Sequence, residues 1–341
     1  MARPVVAVLA QNSGTEITDF LVPYGVVASA DAADVVTVST EEGPVELVPG
    51  PILSGTKILT DTTISKFDGA HPTGGDFVIV PAFLDSKNQA TREWLREQAG
   101  KGATLISICD GSIVLAGTGL LDGHRATGHF ASAAKRRKQF PNVDWIANRR
   151  FVQDGKFISS SGVSASLPTA LYLVGILAGR ERALAAAKAH GLADYDAAHD
   201  GDSFHMGLHD LWLGAKNYFF AWPRDVYAIE LAPGTDEVGL GFAIDMLSRT
   251  FRAQVPVVAP ASEIRTRYGL RVLRSADSGA LPARAVPVRI GGAMGGPGLR
   301  IGEGAQAARD VLAYLTTRYG DRLAAFVATQ TEYPVNGTDH R

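Results

Sequence analysis

The stretch LISICDGSIVLAG, Leu105–Gly117, joins two apolar runs through a short polar turn. The first run ends at Cys109, the only cysteine among the 341 residues, and the turn is Asp110-Gly111-Ser112. An apolar run rich in isoleucine predicts a strand, and the run after the glycine-containing turn predicts a helix. The stretch therefore predicts a strand–turn–helix unit with Cys109 at its bend.

Strand-like and helical patterns alternate over residues 1–191. Short, nearly continuous apolar runs predict buried strands, and Thr18 or Asp19 is suited to cap the first helix. This alternation is typical of a doubly wound α/β domain, in which helices cover both faces of a mainly parallel sheet. The predicted strands are Val5–Ala10, Asp34–Ser39, Asp76–Phe83, Ala103–Cys109 and Phe157–Gly162, and the predicted helices are Thr18–Ala30, Asn88–Gly100, Ser112–Gly119 and Ser166–Gly179.

The pattern of the first 191 residues partly recurs after residue 225. Three pairs match at a nearly constant separation: Gly14–Glu16 with Gly234–Asp236, Pro44–Gly50 with Glu263–Gly269, and Glu93–Asp110 with Ala313–Gln330. The third pair sets Thr329 opposite Cys109. Because the order of elements is kept, we expect residues 225–341 to be a second, truncated and degenerate copy of the same α/β fold. This copy is predicted to pack on the first as a pseudo-dimer.

Residues 192–224 are rich in Asp and His and then in aromatic residues, and they predict a connector with a helix around Gly207–Ala221. His199, His205 and His209 lie in this stretch, and the last two have the spacing that places two side chains on one helix face, which zinc can use. The H-E-x-x-H pattern of metalloproteases is missing, and we expect no metal and no cofactor. The alternative is that this stretch lines a cleft between the two halves of the chain.

The composition is that of an ordinary globular protein, with a formal net charge of −2. This charge gives no electrostatic reason to expect nucleic acid or an anionic membrane as partner, and KRRK (Lys135–Lys138) is interpreted as a solvated helix face. One cysteine excludes an internal disulfide framework and a cysteine-rich metal site. The N-terminus lacks the pattern of a signal peptide, and no apolar run is long enough to span a membrane. We therefore expect a cytoplasmic protein.

Cys109 occupies a position that suits a nucleophile. It ends a strand of a parallel sheet, where open α/β sheets bind their ligands, and it precedes a helix N-terminus, whose dipole stabilises a thiolate. The alternative is a small buried thiol that packs as an apolar side chain. Asp110 is expected to cap the following helix, although its charge would oppose a thiolate if it lay close to the sulfur.

SICDGSIVLAGTGLLDGHRATGHF, Ser107–Phe130, resembles the signature of the ThiJ/PfpI superfamily, which has the class I glutamine amidotransferase-like fold. Thr18–Val27 and Asp76–Phe83 are similar to two further motifs of that family. DGKFISSSGVSASLPTALYLV, Asp154–Val174, is similar to its isonitrile hydratase and AraC-like regulator branch. The resemblance covers about residues 5–191. It implies a flavodoxin-like α/β fold, often dimeric, with a reactive cysteine at Cys109.

The resemblance also implies roles for residues outside the signature. Asp19 matches the aspartate that isonitrile hydratases use beside the cysteine, where it would hold a proton and pass it on; the alternative is a helix cap or a solvated loop residue. His129 matches a family histidine that would stabilise the thiolate or relay a proton, or else serve only in the structure. Gly25 stands where many members have a glutamate near the cysteine.

The family supplies backbone N–H groups to the site from a glycine pair, and here that pair is Ala82-Phe83. A backbone donor survives such a change, but the phenyl ring narrows the pocket. In the pocket we therefore expect Ala82 and Phe83 together with Asp110, with the N–H groups near Ala82 and Asp110 stabilising developing negative charge.

Two functions follow from these residues. In the first, Cys109 attacks an electrophilic carbon of an isonitrile, an amide or a reactive carbonyl compound, Asp19 moves the proton, and water releases the product, so that the protein is a hydratase or hydrolase. In the second, the protein is a non-catalytic small-molecule or redox sensor that uses the same cysteine pocket. Residues 225–341 do not have the pattern of a helix-turn-helix pair. The expected partners are a small molecule and either a second copy in a homodimer or the chain's own second half.

Overall fold

The computed structural model describes residues 3–50, 55–292 and 297–334. We call the described residues up to 191 the first lobe and those from 225 onward the second lobe. The strands are β1 Val5–Ala10, β2 Thr15–Glu16, β3 Asp34–Ser39, β4 Val45–Val48, β5 Thr56–Leu59, β6 Thr62–Thr63, β7 Phe77–Val80, β8 Thr104–Ser107, β9 Arg125–Ala126, β10 Asp144–Trp145, β11 Phe151–Asp154, β12 Phe157–Ser160, β13 Asp225–Glu230, β14 Ala253–Gln254, β15 Val257–Val258, β16 Glu263–Arg265, β17 Arg271–Leu273, β18 Val286–Ile290 and β19 Leu299–Ile301. The helices are α1 Ile17–Ser29, α2 Ile64–Ala70, α3 Gln89–Gly100, α4 Gly111–Ala116, α5 Ala133–Gln139, α6 Ser166–Ala178, α7 Arg180–Ala189, α8 Leu208–Phe220, α9 Glu237–Ser248, α10 Gln306–Tyr319 and α11 Asp321–Gln330.

The first lobe is built on a seven-stranded sheet in the order β11-β12-β8-β7-β1-β3-β6. All neighbours pair in parallel except β11, which runs antiparallel to β12. The order β3-β1-β7-β8-β12 is that of a flavodoxin-like sheet, whose ligands bind at the carboxyl ends of the strands. The predicted flavodoxin-like α/β class is therefore confirmed for this lobe.

The two faces of this sheet are covered by different helices. Along β1, Val6 and Val8 belong to the core that includes α1 and α6, whereas Ala7 and Leu9 belong to the core beneath α3 and α4. Side chains of a strand alternate between its faces, so a continuous apolar run supplies both cores. The run VVAVLA thereby accounts for the central position of β1.

The second lobe has a parallel sheet of its own and is not a helix-turn-helix pair. Strand β13 pairs in parallel with β14, β15 and β18, and β18 pairs with β19. Helix α9 of this lobe packs directly on α1 of the first, where Thr18 Oγ1 donates to Gly241 O at 3.4 Å. The two lobes thus meet through the first helix of each, and the pseudo-dimer stays a prediction.

A five-stranded sheet in the order β16-β17-β5-β4-β2 joins the lobes. Strands β4 and β5 form an antiparallel pair from the first lobe, β16 and β17 form one from the second, and β5 pairs antiparallel with β17. The turns before α1 and α9 also match, since the hydroxyls of Thr15 and Thr235 donate to the carbonyls of Gln11 and Ala232. These correspondences agree with the predicted duplication. The duplication and the division at residues 191 and 224 stay predictions.

The third sequence match is wrong. Glu93–Asp110 contains part of α3, all of β8 and the cysteine bend, whereas Ala313–Gln330 lies in α10 and α11. Leu323, Val327 and Gln330 are buried on one side of α11, at helical spacing. Thr329 therefore lies within a helix, and it is not the counterpart of Cys109.

None of the helices in the described ranges is both long and apolar enough to cross a membrane.

Candidate functional site

Cys109 lies at the bend predicted from the sequence, after β8 and before α4. Its φ of 55° is in the left-handed region, which few non-glycine residues adopt and which is typical of a nucleophile held at a sharp strand–helix turn. Its backbone N–H donates to Ser160 Oγ at 3.2 Å, and its carbonyl accepts from Ser112 Oγ at 2.8 Å. A Cβ at Gly111 would lie 2.1 Å from Val80 O, so this residue must be glycine for the bend to form.

The thiol is nearly buried, and it is surrounded by carboxylates. Only 7 % of Cys109 is exposed. Burial raises the pKa of the thiol well above its ordinary value, and the negative charges of Asp19, Asp110, Glu16 and Glu332 raise it further, in that order. The resting side chain is therefore a thiol at neutral pH, and the thiolate predicted from the helix N-terminus requires a proton acceptor nearby.

Asp19 is the carboxyl that acts most strongly on the thiol, as the family resemblance implies. It is fully buried in the first turn of α1, and burial raises its pKa to about 7 even though Ala82 N–H donates to Oδ2 at 3.1 Å. Oδ1 has no hydrogen-bond partner among the described residues. The prediction of Asp19 or Thr18 as helix cap is wrong, because Glu16 accepts the Asp19 N–H at 2.7 Å and caps α1. Both protonation states of Asp19 are thus accessible near neutral pH.

A buried ion cluster that the sequence did not predict adjoins Asp19. Arg249, directly after α9, places Nη2 2.9 Å from Glu16 Oε1, and its Nε donates to Asp245 at 2.8 Å. Burial, with the nearby Asp245 and Asp19, raises the pKa of Glu16, and the positive charge of Arg249 opposes that rise. No hydrogen bond of Arg249 Nη1 is found among the described residues, although this residue lines the cavity above Cys109. The second lobe therefore supplies a cation to the cysteine site.

Asp110 does not cap α4, contrary to prediction. It stands at the N-cap position, but its side chain makes no capping hydrogen bond. Its Oδ1 instead accepts from Ser132 Oγ and lies 3.6 Å from Arg136 Nη1. The carboxylate turns toward these partners because Arg136, which is almost fully buried, needs a counterion.

Ala82 and Phe83 lie beside Asp19, as expected for the position of the family's glycine pair. The Ala82 N–H already donates to Asp19, and the Ala82 carbonyl accepts from Glu16 N–H at 2.9 Å. The prediction of an Ala82 N–H that stabilises developing charge is therefore wrong, because this donor fixes the carboxylate. Phe83 lines the cavity, in agreement with the expected narrowing.

His129 also lines the cavity, but both of its ring nitrogens are engaged. Nδ1 accepts the Ala131 N–H at 3.2 Å, which assigns the proton to Nε2, and Nε2 lies 3.0 Å from Gln330 O. The ring therefore fastens the end of the second lobe to the first. A role for His129 in proton transfer stays a prediction.

Glu332 is a second buried residue that the sequence did not predict. Its carboxylate accepts from Phe130 N–H at 2.7 Å and Gly162 N–H at 2.9 Å, and it pairs with His199 Nε2 at 2.8 Å. Burial raises the pKa of this group, but His199, the nearby His129 ring and the two N–H groups outweigh burial and lower the pKa to about 2. Glu332 thereby holds the second lobe and the connector against the loops that flank Cys109.

A cavity of about 640 Å³ opens above Cys109, and three parts of the chain form its walls. Phe83 and His129 come from the first lobe, and Phe251 and Phe326 from the second. Helix α8 of the connector supplies Leu211, Ala215, Tyr218 and Phe219. The connector thus lines a cleft between the two lobes, which is the alternative that the sequence offered for this stretch.

The histidine cluster of the connector does not form a metal site. His199 pairs with Glu332, and α8 begins at Leu208, so His205 and His209 do not share a helix face as the spacing suggested. Within residues 3–50, 55–292 and 297–334, no group of three or more His, Cys, Asp or Glu side chains is arranged to hold a metal ion.

Comparison with known proteins places the site in a family. The model of the DJ-1/PfpI family matches residues 5–174. The HTH-type transcriptional regulator GbdR of Pseudomonas aeruginosa is 37% identical over 109 residues, 31% of this chain and 29% of the regulator. Isonitrile hydratase of Pseudomonas putida is 29% identical over 170 residues, 48% of this chain and 68% of that enzyme.

Among solved structures, Drosophila melanogaster DJ-1beta is similar with a TM-score of 0.49 and 22% identity, over 56% of this chain and 100% of that one. The match to the regulator spans less than a third of the regulator's own length. The family match covers the sheet of the first lobe together with Asp19, Ala82, Cys109 and His129. Residues 5–174 of this chain are therefore a DJ-1/PfpI family domain.

Proposed function

We propose that the protein is a hydratase or hydrolase in which Cys109 attacks a small electrophilic carbon compound, with an isonitrile as the first candidate substrate. The observation that carries this proposal is the buried carboxyl of Asp19, whose pKa is raised to about 7 and whose Oδ1 is unpartnered among the described residues. A group with this pKa both accepts and donates a proton near neutral pH, which general acid–base catalysis requires. The similarity to isonitrile hydratase supports the choice of substrate.

The proposed reaction balances with one molecule of water. Asp19 accepts the thiol proton as the Cys109 sulfur bonds to the terminal carbon of the isonitrile, and it then delivers that proton to the same carbon, giving a thioimidate. Water adds to this carbon and the carbon–sulfur bond breaks. The products are an N-substituted formamide and the regenerated thiol. The raised pKa of Cys109 makes proton transfer to Asp19 a necessary part of the attack.

The walls of the cavity suit a substrate with a small apolar substituent. Phe83, Phe251 and Phe326 surround the space above the thiol. Transfer of an aliphatic or aromatic group from water into this space is therefore favourable. Arg249 is the cation that faces this space, and it supports charge that develops on the substrate as the sulfur adds. The sequence predicted backbone N–H donors near Ala82 and Asp110. Because the Ala82 N–H binds Asp19, the Asp110 N–H is the one of these two that is left to stabilise developing negative charge.

The test measures turnover of an aliphatic isonitrile through the appearance of the formamide. A simple amide and a reactive aldehyde are assayed in parallel. Wild type is expected to act on at least one of these probes, and Cys109→Ser is expected to lose that activity while keeping its circular dichroism spectrum and melting temperature. Equal rates for the two proteins, or no activity of wild type on any probe, would overturn the enzyme proposal.

The second candidate is a small-molecule sensor, favoured by the fact that residues of both lobes and of α8 meet in one cavity. A ligand bound there contacts all three parts and stabilises one arrangement of them. The similarity to a transcriptional regulator supports this candidate. A redox sensor is less well supported than a ligand-binding sensor. Oxidation by peroxide proceeds through the thiolate, and the raised pKa of Cys109 disfavours the thiolate.

Two measurements separate the candidates. A sensor binds a ligand from a metabolite library, with a rise in melting temperature that Phe326→Ala abolishes, and turns over none of the probes. A redox sensor is oxidised at Cys109 by a stoichiometric dose of peroxide, which mass spectrometry detects. A chain that neither binds nor reacts would leave Cys109 as a buried structural thiol.

A further inference from the structure

Helix α8 exposes its apolar side and buries a side with small and polar residues, which is the reverse of an ordinary surface helix. Its buried side carries Gly214, which lies against Phe326, and Asn217, whose Nδ2 donates to Thr250 O at 3.0 Å. Its opposite side is exposed and apolar. A surface helix normally buries its apolar stripe against the core, whereas this arrangement leaves the stripe exposed. The exposed apolar residues of the segment are Leu208, Leu211, Trp212, Ala215, Tyr218, Phe219, Phe220 and Trp222.

This stripe is large enough for a stable interface. Leu208 is 84% exposed and Trp222 is 83% exposed, and in the described ranges the only large apolar side chains exposed elsewhere are Leu84 and Ile176. At about 200 Å² for each large apolar side chain, the exposed fractions of the stripe leave on the order of 1,000 Å² accessible. A standard interface buries about 800 Å² on each partner.

The stripe is also self-complementary. Within α8, Trp212 and Tyr218 stand at equal distances before and after Ala215, as do Leu211 and Phe219, and steps of three and four residues place these side chains on one face of the helix. An antiparallel pair of α8 helices related by a two-fold axis at Ala215 therefore sets Leu211 against Phe219 of the second copy. The small side chain of Ala215 lets the two helices approach closely at the axis.

We propose that two copies of the chain pair through α8 and that this pairing closes the cavity above Cys109. Leu211, Ala215, Tyr218 and Phe219 belong both to the exposed stripe and to the cavity wall, so the partner's helix covers the mouth of the cavity. Helix α1 does not serve for pairing, because α9 covers it within the same chain. The proposal holds for the enzyme and for the sensor alike, since it concerns access to the site.

The first test is the mass of the full chain in solution, by sedimentation or light scattering across a range of micromolar concentrations. Wild type is expected to be a dimer, Leu208→Glu a monomer, and Ile176→Glu, which changes an exposed apolar residue on α6, a dimer. A monomeric wild type overturns the proposal, as does a Leu208→Glu variant that stays dimeric. A monomer that binds phosphatidylglycerol vesicles would assign the stripe to a lipid surface instead.

The second test reports the geometry of the pair. In a Cys109→Ser background, Ala215→Cys places a single thiol beside the two-fold axis, and mild oxidation is expected to give a disulfide-linked dimer. Ala90→Cys, an exposed alanine on α3, is the matched control and is expected to stay uncrosslinked. Equal crosslinking of the two variants contradicts the pairing through α8.

The third test concerns access to the cavity. With native Cys109, the rate of alkylation by iodoacetamide is expected to fall for wild type as the protein concentration rises through the dimerisation range, and to stay constant for Leu208→Glu. A rate that is independent of concentration in wild type, measured where the dimer forms, overturns the claim that pairing closes the cavity.

Discussion

Arg249 Nη2 in the second lobe lies 2.9 Å from Glu16 Oε1 at the start of α1 in the first lobe, and the same guanidinium binds Asp245. All three residues are buried, and Glu16 and Arg249 line the cavity that contains Cys109. One residue therefore links the contact between the lobes to the electrostatics of the cysteine site. It also makes the second lobe part of the site.

Arg249→Met is expected to destabilise the fold by about 3–5 kcal/mol, because removal of one partner leaves Glu16 and Asp245 buried without a cation. The measurement is the free energy of unfolding from urea denaturation at neutral pH. The matched control is Arg3→Met, which breaks an exposed ion pair with Asp31 and is expected to leave the midpoint unchanged. Equal midpoints for wild type and Arg249→Met would show that the cluster does not stabilise the packing of the lobes.

Glu332→Gln is expected to lower stability by about 3 kcal/mol at pH 7, since each unit of pKa depression corresponds to about 1.4 kcal/mol. The pKa of Glu332 is about 2, below its ordinary value of 4.5, so the carboxylate stabilises the fold above pH 4.5. This contribution is lost as the pH falls from about 4.5 to about 2. Urea denaturation of both proteins over this range measures it.

The control for the Glu332 experiment is Glu97→Gln, at an exposed position on α3. We expect its stability to follow that of wild type at every pH. If the unfolding free energies of wild type and Glu332→Gln differ by the same amount from pH 7 to pH 2, the charge of Glu332 does not stabilise the fold. The variant would then have lost packing alone.

Gly111→Ala is expected to cost at least about 1–3 kcal/mol, because the new methyl group would meet the Val80 and Pro81 carbonyl oxygens at 2.1 and 2.9 Å. Gly100→Ala is the matched control, since a Cβ there meets nothing within 4 Å at the end of α3. It is expected to be neutral or stabilising by up to about 1 kcal/mol. Thermal denaturation compares the two variants directly. Equal melting temperatures would contradict the claim that the bend has no room for a Cβ at residue 111.

Most of the first lobe follows from local sequence pattern. VVAVLA and DVVTVS are strands with the predicted bounds, and the predicted helices agree with α1, α3 and α6 to within one residue at each end. These elements have long apolar runs or clear helical spacing, so neighbouring residues decide their structure. The bend at Cys109 was predictable for the same reason, since a strand, a glycine turn and a helix follow one another along the chain.

The remainder of the site depends on contacts between residues distant in sequence. Nothing near Arg249 or Glu332 signals that their side chains reach the site from the second lobe. The match of Ala313–Gln330 to a strand–bend segment failed because a few aligned residues do not distinguish an apolar helix from an apolar strand. The prediction that Asp110 caps α4 was wrong because a tertiary partner, Arg136, attracts the carboxylate more strongly than the local helix end does.

The most direct test of the central claim compares alkylation of Cys109 with turnover in Asp19→Asn. Loss of the Asp19 charge lowers the pKa of the thiol, so alkylation by iodoacetamide near pH 8 is expected to quicken about threefold to tenfold. Loss of the proton carrier is expected to slow turnover of the active probe about 100-fold or more. Asp76→Asn, which keeps an acceptor for the Val5 N–H far from the cysteine, is expected to change neither rate. Opposite changes in the two rates are the predicted result, and a parallel fall in both rates, or no change in either, would contradict the pairing of Asp19 with Cys109.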